Sequence, residues 1–183
     1  LVVLANDEAR PTETCVSQAR VFDTSEALLT ALVGPDFAPD REVLLLRADA
    51  AALGLPPPDP TGTILLPDAG TPSPARIDSR GSARLKGRIE TSAPRILVVA
   101  EAFDPGFRYA AVGGSDWKTV RANHAFQATL VPAGGGDFVR TYRPRTWNSA
   151  LACAGFGILA LAVDSRFRRR PAAPAPVRAD SPA

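Results

Sequence analysis

The chain has 183 residues, 45 % of them hydrophobic and 22 % charged, with a net charge of +2, two cysteines and a single histidine. That is enough for one ordinary domain with a hydrophobic core plus appendages. Basic residues are dispersed except at 166–170, which argues against a nucleic-acid-binding footprint, and one histidine leaves multi-imidazole metal sites and Ser/His/Asp triads without their main ingredient.

The opening "LVVLANDEAR" has neither an initiator methionine nor the charged n-region of a signal peptide. The expectation is therefore the C-terminal piece of a longer protein. Residues 1–49 read as a small α+β segment. A β-prone run at Leu1–Leu4 and another around Cys15–Phe22 are followed by Thr24 and Ser25, placed as helix caps. Ala27, Leu28, Ala31 and Leu32 then fall at helical spacing, Gly34 and Pro35 stop the helix, and "REVLLL" at 41–46 is a compact apolar strand. Residues 50–80, with "LPPPDPTG" at their centre, read as a linker or long surface loop, in which "TILLP" is the one strand candidate.

From residue 81 the period becomes two. In "ARLKGRIE", Ala83, Leu85, Gly87 and Ile89 alternate with Arg84, Lys86, Arg88 and Glu90, giving a strand with one dry and one wet face. Further strand patterns run over 95–103, 107–112, 117–122, 125–131 and 137–142, separated by the turn sequences "DPG", "GGSD" and "PAGGG". Residues 81–145 are thus expected to form an antiparallel β-sandwich or jelly-roll-like domain, making the chain mainly β.

Thr146 to Val163 carries no formal charge and falls just short of the roughly 20 residues that span a bilayer. Its strongly apolar members supply only about −2 to −3.5 kcal/mol of insertion free energy. The small residues Ser149, Cys153, Gly157 and Ala160 suit close packing against other membrane helices. The expectation is one transmembrane helix at 146–165, with a buried helix of a soluble domain as the alternative. Trp147 fits an interfacial anchor, and Arg166, Arg168, Arg169 and Arg170 fit a cytoplasmic end against anionic lipid headgroups. Residues 166–183 read as a basic stretch followed by a disordered Pro/Ala tail. Cys153 lies inside the apolar run, so a disulfide with Cys15 is not expected.

Single residues offer little chemistry. His124 reads as structural or surface-facing. Glu101 and Asp104 could be imagined as paired carboxylates, but their positions at a strand end and in a "DPG" turn favour turn formation and solvation. "PAGGG" lacks the Lys-Ser/Thr and the helix of a phosphate loop. Among the aromatic residues, Phe126 and Phe138 read as core, which leaves Trp117 and Tyr142 as candidates for carbohydrate contact.

The run from Glu101 to Trp147 resembles the C-terminal extracytoplasmic domain of bacterial YfhO-type membrane proteins. The residues carrying the resemblance are Pro105, Gly106 and Phe107; Arg121, Ala122, Asn123, Ala125 and Phe126; Pro132, Ala133 and Gly134; and Tyr142, Arg143 and Pro144. The opening "LANDEARP", with the helix and "REVLLL" after it, is similar to the segment before that domain. Gly113 and Gly114 stand where the family usually has Asp-Gly, and Phe107 stands for a more usual Trp. The resemblance implies a polytopic membrane protein linked to glycosylation of cell-envelope polymers, with a lipid-linked sugar donor for the parent and no cofactor in this chain. Implied partners are membrane lipids, other transmembrane helices of the parent and an envelope glycopolymer, with no nucleic acid. The sandwich would lie outside the cytoplasm and the tail inside. Catalytic residues of such enzymes lie in loops between early membrane helices, so none carries over here and whether the parent is an enzyme stays open. The alternative is a non-catalytic, membrane-anchored β-sandwich that binds envelope carbohydrate or a protein partner.

Overall fold

A computed structural model describes residues 12–67, 75–81 and 83–168. The expected strand at Leu1–Leu4, part of the loop before residue 75, Arg169, Arg170 and the Pro/Ala tail lie outside the described residues. The described residues are mainly β, with sheets almost wholly antiparallel, followed by one long apolar helix. Two compact units are present, Leu1–Pro144 and Arg145–Ala183.

In the first unit the strands are β1 (Glu13–Val16), β2 (Gln18–Phe22), β3 (Glu42–Leu46), β4 (Thr63–Leu65), β5 (Arg76–Arg80), β6 (Arg84–Ile89), β7 (Arg95–Val99), β8 (Phe107–Ala111), β9 (Asp116–Trp117), β10 (Thr119–Ala122), β11 (Phe126–Val131) and β12 (Gly136–Tyr142). Helix α1 (Ser25–Leu32) starts at Thr24, whose hydroxyl accepts from Ala27 N, the cap the sequence signals; α2 is Arg47–Ala52. The sheets have the orders β1-β7-β11-β10, β5-β6-β12-β8-β9 and β3-β2-β4. Among the described strands only β2 and β3 pair in parallel, joined through α1, as a parallel pair requires a crossover.

The four-stranded sheet is buried on both faces. Along β7, Ile96 and Val98 enter one core with Val21, Val43 and Leu45, while Leu97 and Val99 enter another with Leu85, Tyr109 and Phe138. This accounts for the unbroken apolar run "ILVV", since a strand covered on both sides has no wet face to encode. Each such side chain contributes about 1.5–3 kcal/mol on full burial. On β6 the expected alternation holds: Leu85, Gly87 and Ile89 face in, and Arg84, Lys86 and Arg88 face out.

The sandwich draws on residues well before 81. β1, from the segment read as a separate α+β unit, is hydrogen-bonded to β7 in the register Glu13↔Val99, and β5, from the segment read as linker, pairs with β6. Sequence patterning marks strands but not their partners, so these two pairings could not be read from it. β5 is an edge strand carrying a bulge and the charges Arg76, Asp78 and Arg80, features that discourage pairing with another chain. The loop through "PPPDPTG" is held by Asp59, whose carboxylate accepts from Thr61 N (2.9 Å) and Thr63 N (2.8 Å).

The second unit contains α3 (Trp147–Arg168), of which Trp147–Arg166 is long and apolar enough to cross a membrane. Its large apolar side chains, including Leu151, Phe156, Ile158, Leu159, Leu161 and Val163, are exposed.

Candidate functional site

The turn at Asp104–Phe107 organises one end of the sandwich. Asp104 Oδ1 accepts from Gly106 N (2.6 Å), and the Asp104 carbonyl accepts from Phe107 N (3.0 Å). A Cβ at residue 106 would stand 2.6 Å from the Arg143 carbonyl, so glycine is required for this approach. Tyr142 donates its hydroxyl to Asp104 Oδ2 (3.2 Å) and lies against the Phe107 ring at a centroid distance of 4.7 Å. Desolvation and the Asp104 carboxylate raise the Tyr142 pKa.

Beside this turn is a cleft of about 230 Å³ lined by Phe103, Pro105, Phe107, Arg108, Asp116, Trp117 and Thr119. Guanidinium groups sit over two of its rings, Arg121 over Phe103 at 5.4 Å and Arg140 over Phe107 at 4.9 Å. At the rim Arg108 and Asp116 approach to 3.9 Å, both well exposed. The Thr119 hydroxyl is buried with no hydrogen-bond partner among the described residues.

Trp117 and Tyr142 therefore both come to Phe107, one lining the cleft and the other packed on the ring. Trp117 is only 8 % exposed and stacks on Phe138 at 5.9 Å. It is a wall of the cleft, folded onto the core by the short strand β9. Phe103 and Phe107 are the half-buried rings here, and sequence periodicity singled out neither, because they flank a turn. Phe126, expected in the core, is 36 % exposed and lines a separate groove with Phe37 and Val98. It opens β11 next to the turn at Asn123 and His124.

Glu101 and Asp104 are engaged separately. Arg140 donates to both Glu101 oxygens, at 2.6 and 3.1 Å. Arg80 of the edge strand donates to Glu101 (3.0 Å) and also to Glu13, tying β5 to β1. Tyr109 donates to Gln127 Oε1 (3.3 Å), and Gln127 donates to the Ala102 carbonyl (3.2 Å). Burial pushes the Tyr109 hydroxyl up to about 12, against the pull of Arg140. This is a cross-linking network with its polar atoms committed to one another.

His124 is exposed in the left-handed region (φ 67°) and borders a hollow of about 20 Å³ with Asp49 and Arg121, room for about one water. Among the described residues no group of three or more His, Cys, Asp or Glu side chains could hold a metal ion. Trp147 opens α3 and Arg166 lies exposed in its last turns; Arg168 is its final residue.

No protein-family model matches the chain, and no curated protein does. It is similar to cryo-EM structures of the arabinofuranosyltransferase AftD from mycobacteria. One is 26 % identical with a TM-score of 0.43, covering 63 % of this chain. A second, of a mutant form, is 26 % identical with a TM-score of 0.41, covering 56 % of this chain. In each case the match spans 8 % of the AftD chain.

Proposed function

We propose that residues 12–144 form an extracytoplasmic accessory domain of a YfhO-like polytopic membrane protein acting in glycosylation of cell-envelope polymers, with α3 as its last span. The lipid-linked sugar donor and the catalytic groups belong to the parent protein, and the basic residues after α3 meet cytoplasmic headgroups.

The observation that carries this reading is the way the resembling motifs meet in space. The Pro105-Gly106-Phe107 turn is closed by the Tyr142-Arg143-Pro144 segment, through Arg143 N donating to the Gly106 carbonyl at 2.9 Å and Tyr142 packing on Phe107. The helix able to span a membrane starts at Trp147, directly after that closure. The chain thus leaves a fastened domain end and continues at once into an apolar run long enough for a span.

The test uses the full chain in membranes, with Cys15→Ala and Cys153→Ala and single cysteines at Ser115→Cys or Arg169→Cys. Ser115 is exposed, whereas a Cβ at Gly114 would stand 2.9 Å from that of Ala111. The expected result is retention after carbonate extraction, with residue 115 labelled by an impermeant thiol reagent on intact cells and residue 169 labelled only after permeabilisation. Release by carbonate, or the reverse labelling, overturns the reading.

A further inference from the structure

We infer that the outer face of the five-stranded sheet docks on the headgroups of an anionic bilayer, through Arg84 and Lys86 of β6 and the aliphatic side chains beside them. The inference deepens the reading above and rests on it for the bilayer itself.

Antiparallel pairing puts cross-strand partners on one face. Thr141 of β12 is flanked by Arg84 of β6 and Arg108 of β8, and Val139 by Lys86 and Ala110. The alternate positions Leu85, Tyr109 and Phe138 fill the core, so this face looks outward, and Arg84, Lys86, Arg108 and Thr141 are exposed. Charge along it is uneven. Towards one end the cations have carboxylates beside them, Arg76 with Asp78 at 3.3 Å and Arg88 with Glu90 at 3.1 Å and Asp137 at 3.4 Å. Towards the other end Arg108 approaches Asp116 only to 3.9 Å, and Arg84 and Lys86 have no carboxylate within 4.0 Å among the described residues.

Two observations select a bilayer as the counter-charge. The chain leaves the sheet at the end that carries the unneutralised cations. Tyr142 N donates to the carbonyl of Ala83, next to Arg84, at 2.9 Å. Thr141 and Trp147, where the apolar helix begins, are six positions apart, which is at most about 20 Å of extended chain. A bilayer entered at Trp147 is therefore within that tether of the strand pair that holds Arg84. The face is also aliphatic between its charges. Val139 and Ala110 are half-buried, and Val112, which alternation puts on the same side, is 63 % exposed. A soluble polyanion would pair with the cations and leave these side chains in water, whereas a headgroup layer takes up both charge and aliphatic surface. Each cation within a Debye length of an anionic surface adds to the attraction.

The experiment uses the full chain with Cys15→Ala and Cys153→Ala, reconstituted in vesicles of phosphatidylcholine with increasing phosphatidylglycerol and a contact-range quencher on a lipid headgroup. A fluorophore is attached through Ser79→Cys, exposed on the edge strand and paired with Lys86, or through Val33→Cys, exposed at the end of α1 on the far side of the middle sheet. Quenching at residue 79 is expected to rise saturably with phosphatidylglycerol and to fall at high salt, while residue 33 stays unquenched. Arg84→Gln with Lys86→Gln is expected to lower the ratio of docked to free domain about 5-fold per cation removed, at unchanged Tm, and Arg84→Lys to leave it as it is. Equal quenching at the two positions, no dependence on phosphatidylglycerol, or a double variant that docks as well as the unsubstituted chain each overturns the proposal. So does relief of quenching by soluble polyphosphate at matched ionic strength, which assigns the cations to a free polyanion. A chain that resists carbonate but shows no quenching at residue 79 loses this docking surface and keeps its span; one released by carbonate yet quenched at residue 79 keeps the surface and loses the span.

Discussion

Asn123 completes a strand pair with Leu44, a residue 79 positions away. Its side-chain oxygen accepts from Leu44 N at 2.8 Å, and its own N–H donates to the Leu44 carbonyl at 2.9 Å. Side chain and backbone together thus present β3 with the pattern a neighbouring strand would offer, tying the β10–β11 turn to a different sheet. The backbone of Asn123 is left-handed (φ 46°), a conformation asparagine tolerates better than most residues.

Asn123→Ala strands the buried Leu44 N–H, at about 1–3 kcal/mol, and adds the left-handed penalty of roughly 1–2 kcal/mol. Asn123→Gly keeps only the first loss. Urea denaturation of both variants is expected to show alanine as the more destabilised; equal midpoints would refute the conformational part.

Gly87 faces Phe138 across the β6–β12 pair, and a Cβ there would come within 2.8 Å of the Phe138 ring and 2.7 Å of the Arg76 carbonyl. Gly87→Ala is expected to cost about 1–3 kcal/mol by overpacking. Because Phe138 stacks on Trp117 at 5.9 Å, the loss should come with a change in tryptophan emission. An unchanged spectrum would mean that the strain is taken up by β5 instead.

Arg140 is buried and held by Glu101 alone among the carboxylates bonded to it, while Glu101 is shared with Arg80. Glu101→Gln is expected to destabilise by about 2–3 kcal/mol through loss of a charged pair and its hydrogen bonds. Adding Arg140→Met should restore part of this, because the stranded cation is removed. A double mutant as unstable as the sum of the two single changes would show that the pair is not coupled.

Two buried acids are expected to weaken the domain at alkaline pH. Burial raises the Cys15 thiol from its ordinary 9.0 to about 12 and the Tyr109 hydroxyl from 10.0 to about 12. Above pH 9 the unfolded chain releases the Cys15 proton while the folded chain retains it, so stability is level below pH 9 and falls as pH rises towards 12, with a slope of about 1.4 kcal/mol per unit for each proton. Urea midpoints between pH 8 and 11 should show the fall starting later in Cys15→Ala. In a Cys153→Ser background, Cys15 should resist iodoacetamide at pH 8 until the protein is unfolded.

Local structure was legible where one face is wet. The alternation of β6, the Thr24 cap and the glycine turns all follow from spacing or backbone sterics within a few residues. What escaped was pairing at a distance: nothing around Glu13 signals that β1 belongs beside β7, and nothing in "ILVV" tells which face meets which core. The site was partly visible. Trp117 and Tyr142 were left as candidates once Phe126 and Phe138 read as core, but Phe103 and Phe107 gain their meaning from a turn that folds back on Arg143. Phe126 misled because its place in the alternation was correct while the layer that should cover it stops short.

The doubly covered middle sheet also imposes an order of events. β1 leaves the ribosome well before its partner β7, which ends at Val99, and the sheet is incomplete until β11 ends at Val131. Until then β1 and β7 each lack a neighbour or a covering layer, and such non-local pairing is slow to form. β12, the last piece of the opposing sheet, finishes at Tyr142, only a few residues before α3. The nascent domain therefore stays open through most of its synthesis and closes just as the apolar helix follows it out, so a stall between residues 99 and 131 exposes unpaired strands to aggregation.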